Sequence, residues 1–499
     1  MWTDPSAAAA ACIAALREGR AGEAAPLVGA ARERLRQGGE GAGAAETFLR
    51  RVAAAHVMAL QKSSAPLVPG AWTAGLGPVA FPALCDFLAH GAVENEAMEW
   101  ACTELRAALA EFRGPRGGEW LDFACALAIQ AFRMDYVLPE TAGEAARADA
   151  LAGGSRSAES LALLSLYRPL HRLPQAASLV ASLQPSPGAY LPELLRVQVT
   201  EPLRERELAA SIRSLTPIAD ATSREVQAQY EDNPYPRWHR LPGRQGPSGE
   251  PDEGPPEGSL LVAGCGTGRQ ALSAALASPR KRVLAVDLSR ASLAYAQRKA
   301  TELGVRNLDF AHADLLALPA TGLRFDAITS TGVIHHLREP GKGLQALRAL
   351  MAHDTGLKLA VYTESGRRGV VAAIRLREEY ALPATPEGIR EFRQIVAALP
   401  DDDPAREIMG YADFYSMPGV RDLVFHVMEH RYTLPSFAAV VDASGLRIRQ
   451  LLAPQELRER FVERFPQAGA AGNFDAWDQF ERENPGCFGS MYRFLLAKA

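Results

Sequence analysis

Apolar residues follow two different rhythms along this chain, and the change between them falls at Ser259. From about residue 6 to residue 215, glycine and proline breaks separate stretches of helical period that hold few runs of β-branched residues. Between Glu96 and Arg113, Met98, Leu105, Leu109 and Phe112 share one stripe with Ala101 and Cys102, while Glu99, Glu104, Arg106 and Glu111 take the other side. A helix patterned in this way buries its stripe against other helices. No period of about 34 residues, the mark of a tetratricopeptide array, runs through the region, so the pattern predicts a bundle.

Ala221 to Arg240 begins as a helix and turns at Pro234 and Pro236. Leu241 to Gly258 is dense in proline and glycine and nearly free of apolar residues, which predicts a surface linker. Beyond Ser259, short apolar runs alternate with helices. The predicted strands are Leu260–Ala263, Arg282–Val286, Leu308–Ala311, Phe325–Thr329 and Leu357–Tyr362, with helices at Gln270–Leu276 and from a Ser289 cap to just before Gly304. That alternation implies an α/β fold: a parallel sheet covered on both faces, with ligands at the carboxyl ends of its strands. Val370 to Tyr411 reads as mostly helical. A helix near Ser436–Ala443 and a strand near Leu446–Leu452 follow, and they would add antiparallel edge strands. The expected domains are a helical unit at 1–220, a lid segment and linker at 221–258, a ligand-binding core at 259–365, and a helical cap with terminal strands at 366–499.

Composition narrows the function classes. The 499 residues are 47% hydrophobic and 22% charged, with a formal net charge of −4, so nothing global attracts a nucleic acid and none is expected as a partner. The six cysteines form no C-x-x-C pair or zinc-ligand spacing, and they read as reduced thiols, mostly core. The sequence opens Met1-Trp2-Thr3-Asp4-Pro5 without a basic leader and holds no stretch of about 18 apolar residues, so a cytoplasmic protein without a membrane partner is expected.

The chemistry starts at Gly264-Cys265-Gly266-Thr267-Gly268, directly after the first predicted strand. Glycines there leave backbone N–H groups open to a ligand. A dinucleotide fingerprint would need glycine at position 269, which is Arg269, and no Gly-Lys-Ser/Thr follows for a phosphate loop. With Asp287 at the end of the second strand and Ala313-Asp314 after the third, these residues resemble the class I S-adenosylmethionine-dependent methyltransferases over about residues 259 to 365. The resemblance implies a Rossmann-like sheet with S-adenosylmethionine as cofactor. Gly264, Cys265, Gly266, Thr267 and Gly268 would cradle it, Asp287 with Leu288 would hold the ribose, and Asp314 with Leu315 would hold the adenine. This sequence departs from the family at Val262, where many members carry an acidic residue. The methionine ammonium would turn to the carbonyls of Ala263 and of the Ser330-Thr331-Gly332 segment, which places Thr331 in the cofactor set.

Further site residues follow the fourth and fifth strands. His335 and His336 resemble the family's paired histidines at this place, and His335 is the expected base, because imidazole titrates near neutrality. Glu364 opens the loop after the fifth strand and would orient an acceptor. Tyr230 to Trp238 concentrates aromatics around two prolines and is read as a lid over the cofactor. His426-Val427-Met428-Glu429-His430 has the ligand spacing of inverted zinc peptidases, but Pro435 ends any long helix that would carry it. It is read as pocket lining, with no metal. The expected activity is methyl transfer to nitrogen or oxygen of an unidentified acceptor. The size of the helical domain favours a protein or peptide, with a small metabolite, or a scaffold that only binds cofactor, as alternatives.

Overall fold

The computed structural model describes residues 4–38, 41–62, 69–114, 116–154, 156–183, 188–232, 234–241, 257–467 and 472–499. The expected linker at 241–258 therefore falls almost wholly outside the described residues. Seven strands form one sheet: β1 Ser259–Ala263, β2 Arg282–Asp287, β3 Leu308–His312, β4 Phe325–Thr331, β5 Met351–Tyr362, β6 Leu446–Leu451 and β7 Met491–Lys498. Their order is β3-β2-β1-β4-β5-β7-β6. The first five are parallel, and β7 runs antiparallel to both β5 and β6. A dinucleotide fold has the order 3-2-1-4-5-6, so the intercalated β7 separates this sheet from it. The sequence pattern placed added strands at the edge and did not locate β7, whose run Tyr492-Arg493-Phe494-Leu495-Leu496-Ala497 is buried except for Arg493.

Alternation along β1 shows why the parallel strands are apolar throughout. Leu261 and Ala263 enter one core with Ile328, Leu359 and Phe494, while Leu260 and Val262 enter the opposite core with Leu272, Leu293 and Trp238. The outer edge of β3 is covered by residues 213–215: Ser214 bridges His312, and Leu215 N–H donates to the His312 carbonyl at 2.9 Å. This satisfies part of an edge that would otherwise be free to pair with another chain.

The helical region matches its pattern where the stripe is clearest. Helix Glu96–Glu111 buries Met98, Ala101, Cys102, Leu105 and Leu109 as expected, but Arg106 from the expected polar side is buried too. Its guanidinium donates to Pro139 O and lies 4.6 Å from the Tyr167 ring centre. The free cysteines are buried, apart from a half-buried Cys487. Among the described residues no helix is long and apolar enough to cross a membrane.

The main departure concerns residues 366–499, expected as one cap. Helices Arg368–Glu379, Pro386–Ala397 and Met417–Val424 share a single apolar core with the N-terminal helices, through Val370, Phe392, Phe414, Val420 and Phe425. Residues from Tyr432 onward pack on the sheet. One buried cation fixes the first junction: Arg393 donates to Glu99 at 2.6 and 2.7 Å, to Phe414 O at 2.8 Å and to Val137 O at 3.3 Å. Arg393→Ala strips four acceptors of their donor and leaves Glu99 unpaired, so we expect a loss of about 3–5 kcal/mol in urea unfolding. Faster hydrogen exchange over 386–424 should accompany it.

Candidate functional site

The glycine loop is folded onto the end of β2, where Gly264 and Cys265 donate their N–H groups to Val286 O at 2.9 and 3.0 Å. Asp287 grips the loop from below. One carboxylate oxygen accepts from Gly266 N at 2.7 Å and the other from Ser289 N at 2.9 Å. Burial pushes this carboxyl up from its ordinary range, opposed by those backbone bonds. Gly268 ends the loop with φ +81°, and a Cβ there would lie 2.5 Å from Ala296 Cβ, so glycine lets the helix Arg290–Glu302 close on the loop.

Helix Ala221–Asp232 and the strand-like segment after it lie over the same loop. Thr267 donates its hydroxyl to Pro236 O, and its carbonyl accepts from Trp238 Nε1 at 3.0 Å. Gly266 has φ +50°, and a Cβ on it would come 2.8 Å from Tyr235 O. The Glu231 carboxylate accepts from Arg290 N and Ala291 N at 2.8 and 2.9 Å, where a negative charge suits the start of helix Arg290–Glu302. Asn233 lies outside the described residues. Beyond β3, Asp314 is buried, with its carboxylate accepting from Leu316 N and its own N–H donating to Thr216 Oγ1. Leu315 is buried beside it and Leu288 half-buried beside Asp287.

Above the carboxyl ends of β4 and β5 is a stack of rings and charges. Arg367 lies 3.9 Å over the Tyr362 ring, Tyr362 stacks on His335 at 3.8 Å, His335 meets His336 edge-on at 4.3 Å, and His336 stacks on His426 at 3.7 Å. Arg367 is paired with Glu429. Two carboxylates come from the cap: Asp422 accepts from Tyr230 OH at 2.5 Å and Asp413 from Tyr235 OH at 2.6 Å. The lid segment is thereby bonded to the cap as well as to the glycine loop. Burial holds His335 and His336 well below the ordinary histidine range, with nearby Arg367 and the neighbouring histidines adding to it, and pushes His426 down to about 4. All three are neutral at pH 7. Burial also raises Asp413 and takes Asp422 up to about 6.

Residues 260–354 match the family model for a methyltransferase domain. An uncharacterized protein of Synechococcus sp. is 29% identical over 253 residues, which is 46% of this chain and 60% of that protein. The ubiquinone biosynthesis O-methyltransferase of Leptothrix cholodnii is 28% identical over 138 residues, 28% of this chain and 57% of that enzyme. The chain thus spans about three-fifths of the length of these curated relatives. The structure of PKMT2 from Rickettsia typhi in complex with AdoHcy aligns with a TM-score of 0.38 and 15% identity over 49% of each chain. Residues 260–354 form a class I S-adenosylmethionine-dependent methyltransferase domain.

Within the methyltransferase domain, the loop glycines and the Asp287 and Asp314 carboxylates lie together along the carboxyl ends of β1, β2 and β3, a donor and acceptor set that fits the cofactor's amino acid, ribose and adenine. Several residues named from the sequence have partners within the fold. Thr267 and Cys265 spend their polar groups on the lid and on β2. The Ala263 carbonyl, expected to receive the methionine ammonium, already accepts from Ser330 Oγ at 3.1 Å. Thr331 is exposed, and its hydroxyl accepts from Gln270 Nε2 at 3.1 Å, a residue that the pattern treated only as part of a helix. Val262 is sealed in the core. Glu364 is exposed, because the first residue after Tyr362 and Thr363 turns outward, and the carboxylate that meets the ring stack is Glu429. Asp413 and Asp422 had no signal in the sequence, being single acids in a helical stretch.

His426 to His430 is a loop, so the zinc-peptidase spacing is not displayed on a helix. His336, Asp422 and His426 do bring ligand-type atoms within 4.8 Å of one another. Their hydrogen bonds argue against coordination. His336 Nδ1 donates to Met428 O at 2.7 Å and leaves Nε2 free, but His426 Nδ1 accepts from Met428 N at 3.1 Å, so its Nε2 carries the proton. A histidine ligand needs a bare nitrogen, and Asp422 is already engaged by Tyr230.

The raised Asp422 carboxyl has a pH signature. Protonation is favoured in the folded chain, so its stabilising effect is full below the unfolded value near 3.8 and is lost as pH rises through about 6. Asp422→Asn mimics the protonated form. Its stability should match wild type below pH 3.8 and exceed it above pH 7, by up to about 3 kcal/mol, in urea unfolding at each pH.

Proposed function

We propose that this chain is an S-adenosylmethionine-dependent methyltransferase acting on nitrogen or oxygen of a small acceptor, seated between the end of β4, the lid and the cap. One observation carries the reading: the carboxyl ends of β4 and β5 are roofed by polar groups from three parts of the chain, half-buried Tyr230 and Tyr235, half-buried Asp413 with buried Asp422, and half-buried His426 with Glu429. A roof over the strand ends suits an acceptor that is engulfed more than a peptide laid in a groove. The bulk of the helical unit, which favoured a protein acceptor from sequence, goes into building that roof.

When bound, S-adenosylmethionine supplies the methyl group on a sulfonium. The loop N–H groups and Asp287 position the donor, and the lid excludes water. His335 is neutral and fully buried, and both ring nitrogens lack a hydrogen-bond partner. Leaving such groups unmade costs about 1–3 kcal/mol, which an acceptor O–H or N–H would recover. His335 would hold the acceptor's O–H or N–H and take its proton as that atom is methylated.

Calorimetric titration of S-adenosylhomocysteine should give micromolar binding to wild type and at least a tenfold loss in Asp287→Ala. Labelled cofactor incubated with bacterial extract should then mark the low-molecular-weight pool; label confined to protein would overturn the small acceptor, and no cofactor binding would overturn the methyltransferase reading. His335→Gln should lower turnover by about 10²–10⁴ with cofactor affinity unchanged. The acid limb of wild-type turnover should fall below the ordinary histidine value near 6.5, because only the neutral imidazole accepts a proton and burial keeps it neutral to lower pH.

A further inference from the structure

A cavity of about 440 Å³ lies away from the ring stack, between the helical unit and helix Arg290–Glu302. Its walls are the end of helix Gly118–Arg133, helix Glu201–Ser211, the 234–240 segment and the outer face of helix Arg290–Glu302. Nine arginine and lysine side chains line it, against six carboxylates.

Most of those carboxylates are already engaged. Glu193 pairs with Arg196 at 2.6 Å, Glu205 and Glu201 pair with Arg298 at 2.8 and 3.2 Å, and Glu231 caps helix Arg290–Glu302. Arg36 among the cations is held by Asp86 at 2.8 Å. What remains is a surplus of guanidinium N–H groups without acceptors: Arg133 Nε and Nη1 and Arg237 Nε are buried with no hydrogen-bond partner, as is His171 Nδ1, and Arg240, which donates Nη2 to Leu35 O and faces Glu46 at 4.0 Å, still leaves Nη1 without a hydrogen bond. Half-buried Asp135 and exposed Asp232 are the remaining acids on the wall.

We propose that this cavity is a binding site for a small polyanion, one bearing phosphate or several carboxylates, held by Arg133, Arg237 and Arg240. A buried cation with unused N–H groups is costly in isolation and is stabilised by an acceptor that brings both charge and oxygen lone pairs. The guanidinium fork matches the paired oxygens of phosphate and carboxylate. The volume is within the range of small-molecule sites. Burial pushes Arg133 down to about 10, helped by Arg240 and Arg196 and opposed by Glu193, and it pushes His90 and His171 down to about 4.

The test titrates the full-length protein separately with pyrophosphate and with citrate in low-salt buffer. Saturable one-to-one binding of at least one is expected, and which of them binds more tightly separates phosphate from carboxylate recognition. Arg133→Gln should weaken it at least tenfold, and Arg237→Lys, which keeps the charge but loses the fork, several-fold. Asp287→Asn, at the cofactor loop, should leave anion binding unchanged. Should Arg133→Gln fail to fold, Arg237→Lys decides alone. No saturable binding of either anion, or binding unaffected by both cavity variants, would overturn the proposal. Neither outcome depends on methyl transfer.

Discussion

Everything on the acceptor side depends on one packing constraint: the helices inserted after β5 have apolar faces that the sheet does not cover. Val370, Phe392, Phe414 and Val420 find their partners in the N-terminal helices, and the two stretches form one core although more than 150 residues separate them. The buried Arg393 sets the register of that junction, since its fixed donor geometry must meet Glu99, Val137 and Phe414 together. The helical unit is therefore not an appendage to the methyltransferase domain. It anchors the chain segment that brings Asp413 and Asp422 over the strand ends.

The lid connects this roof to the cofactor loop. Between Tyr230 and Trp238 the chain bonds to Asp422, Asp413, Ser289 and Thr267, and so touches the cap, the start of helix Arg290–Glu302 and the glycine loop within nine residues. Gly266 lets it come so close, because any side chain there would meet the Tyr235 carbonyl. Asp287, bonded to Gly266 N and Ser289 N, fixes the shape of the loop within the chain's own fold.

The interior carries an unusual quantity of polar matter, handled in two ways. Near the strand ends, burial raises two acids whose carboxylates accept from tyrosine hydroxyls, and burial keeps the stacked histidines uncharged. On the far side of helix Arg290–Glu302, arginines outnumber acids and some N–H groups have no acceptor. The first arrangement leaves the His335 ring nitrogens and His426 Nε2 without partners, whereas the second lacks acceptors for several guanidinium N–H groups.

The sequence by itself determined the sheet and the cofactor end. Five parallel strands and the glycine loop are encoded in contiguous stretches, where a period, a turn residue and a terminal aspartate all fall within some thirty residues of one another, as Gly264 to Asp287 do. Local patterns are legible because neighbouring positions supply the physics. β7 was not located, because a strand inserted between β5 and β6 owes its place to long-range pairing. The roof was equally invisible: Asp413, Asp422, Glu429 and Arg393 are single charged residues in helical or irregular stretches, and nothing nearby distinguishes them from a solvated surface. Their roles follow from contacts with Tyr235, Tyr230, Arg367 and Glu99, which only tertiary packing brings within reach, and only burial turns such contacts into shifted pKa values and usable chemistry.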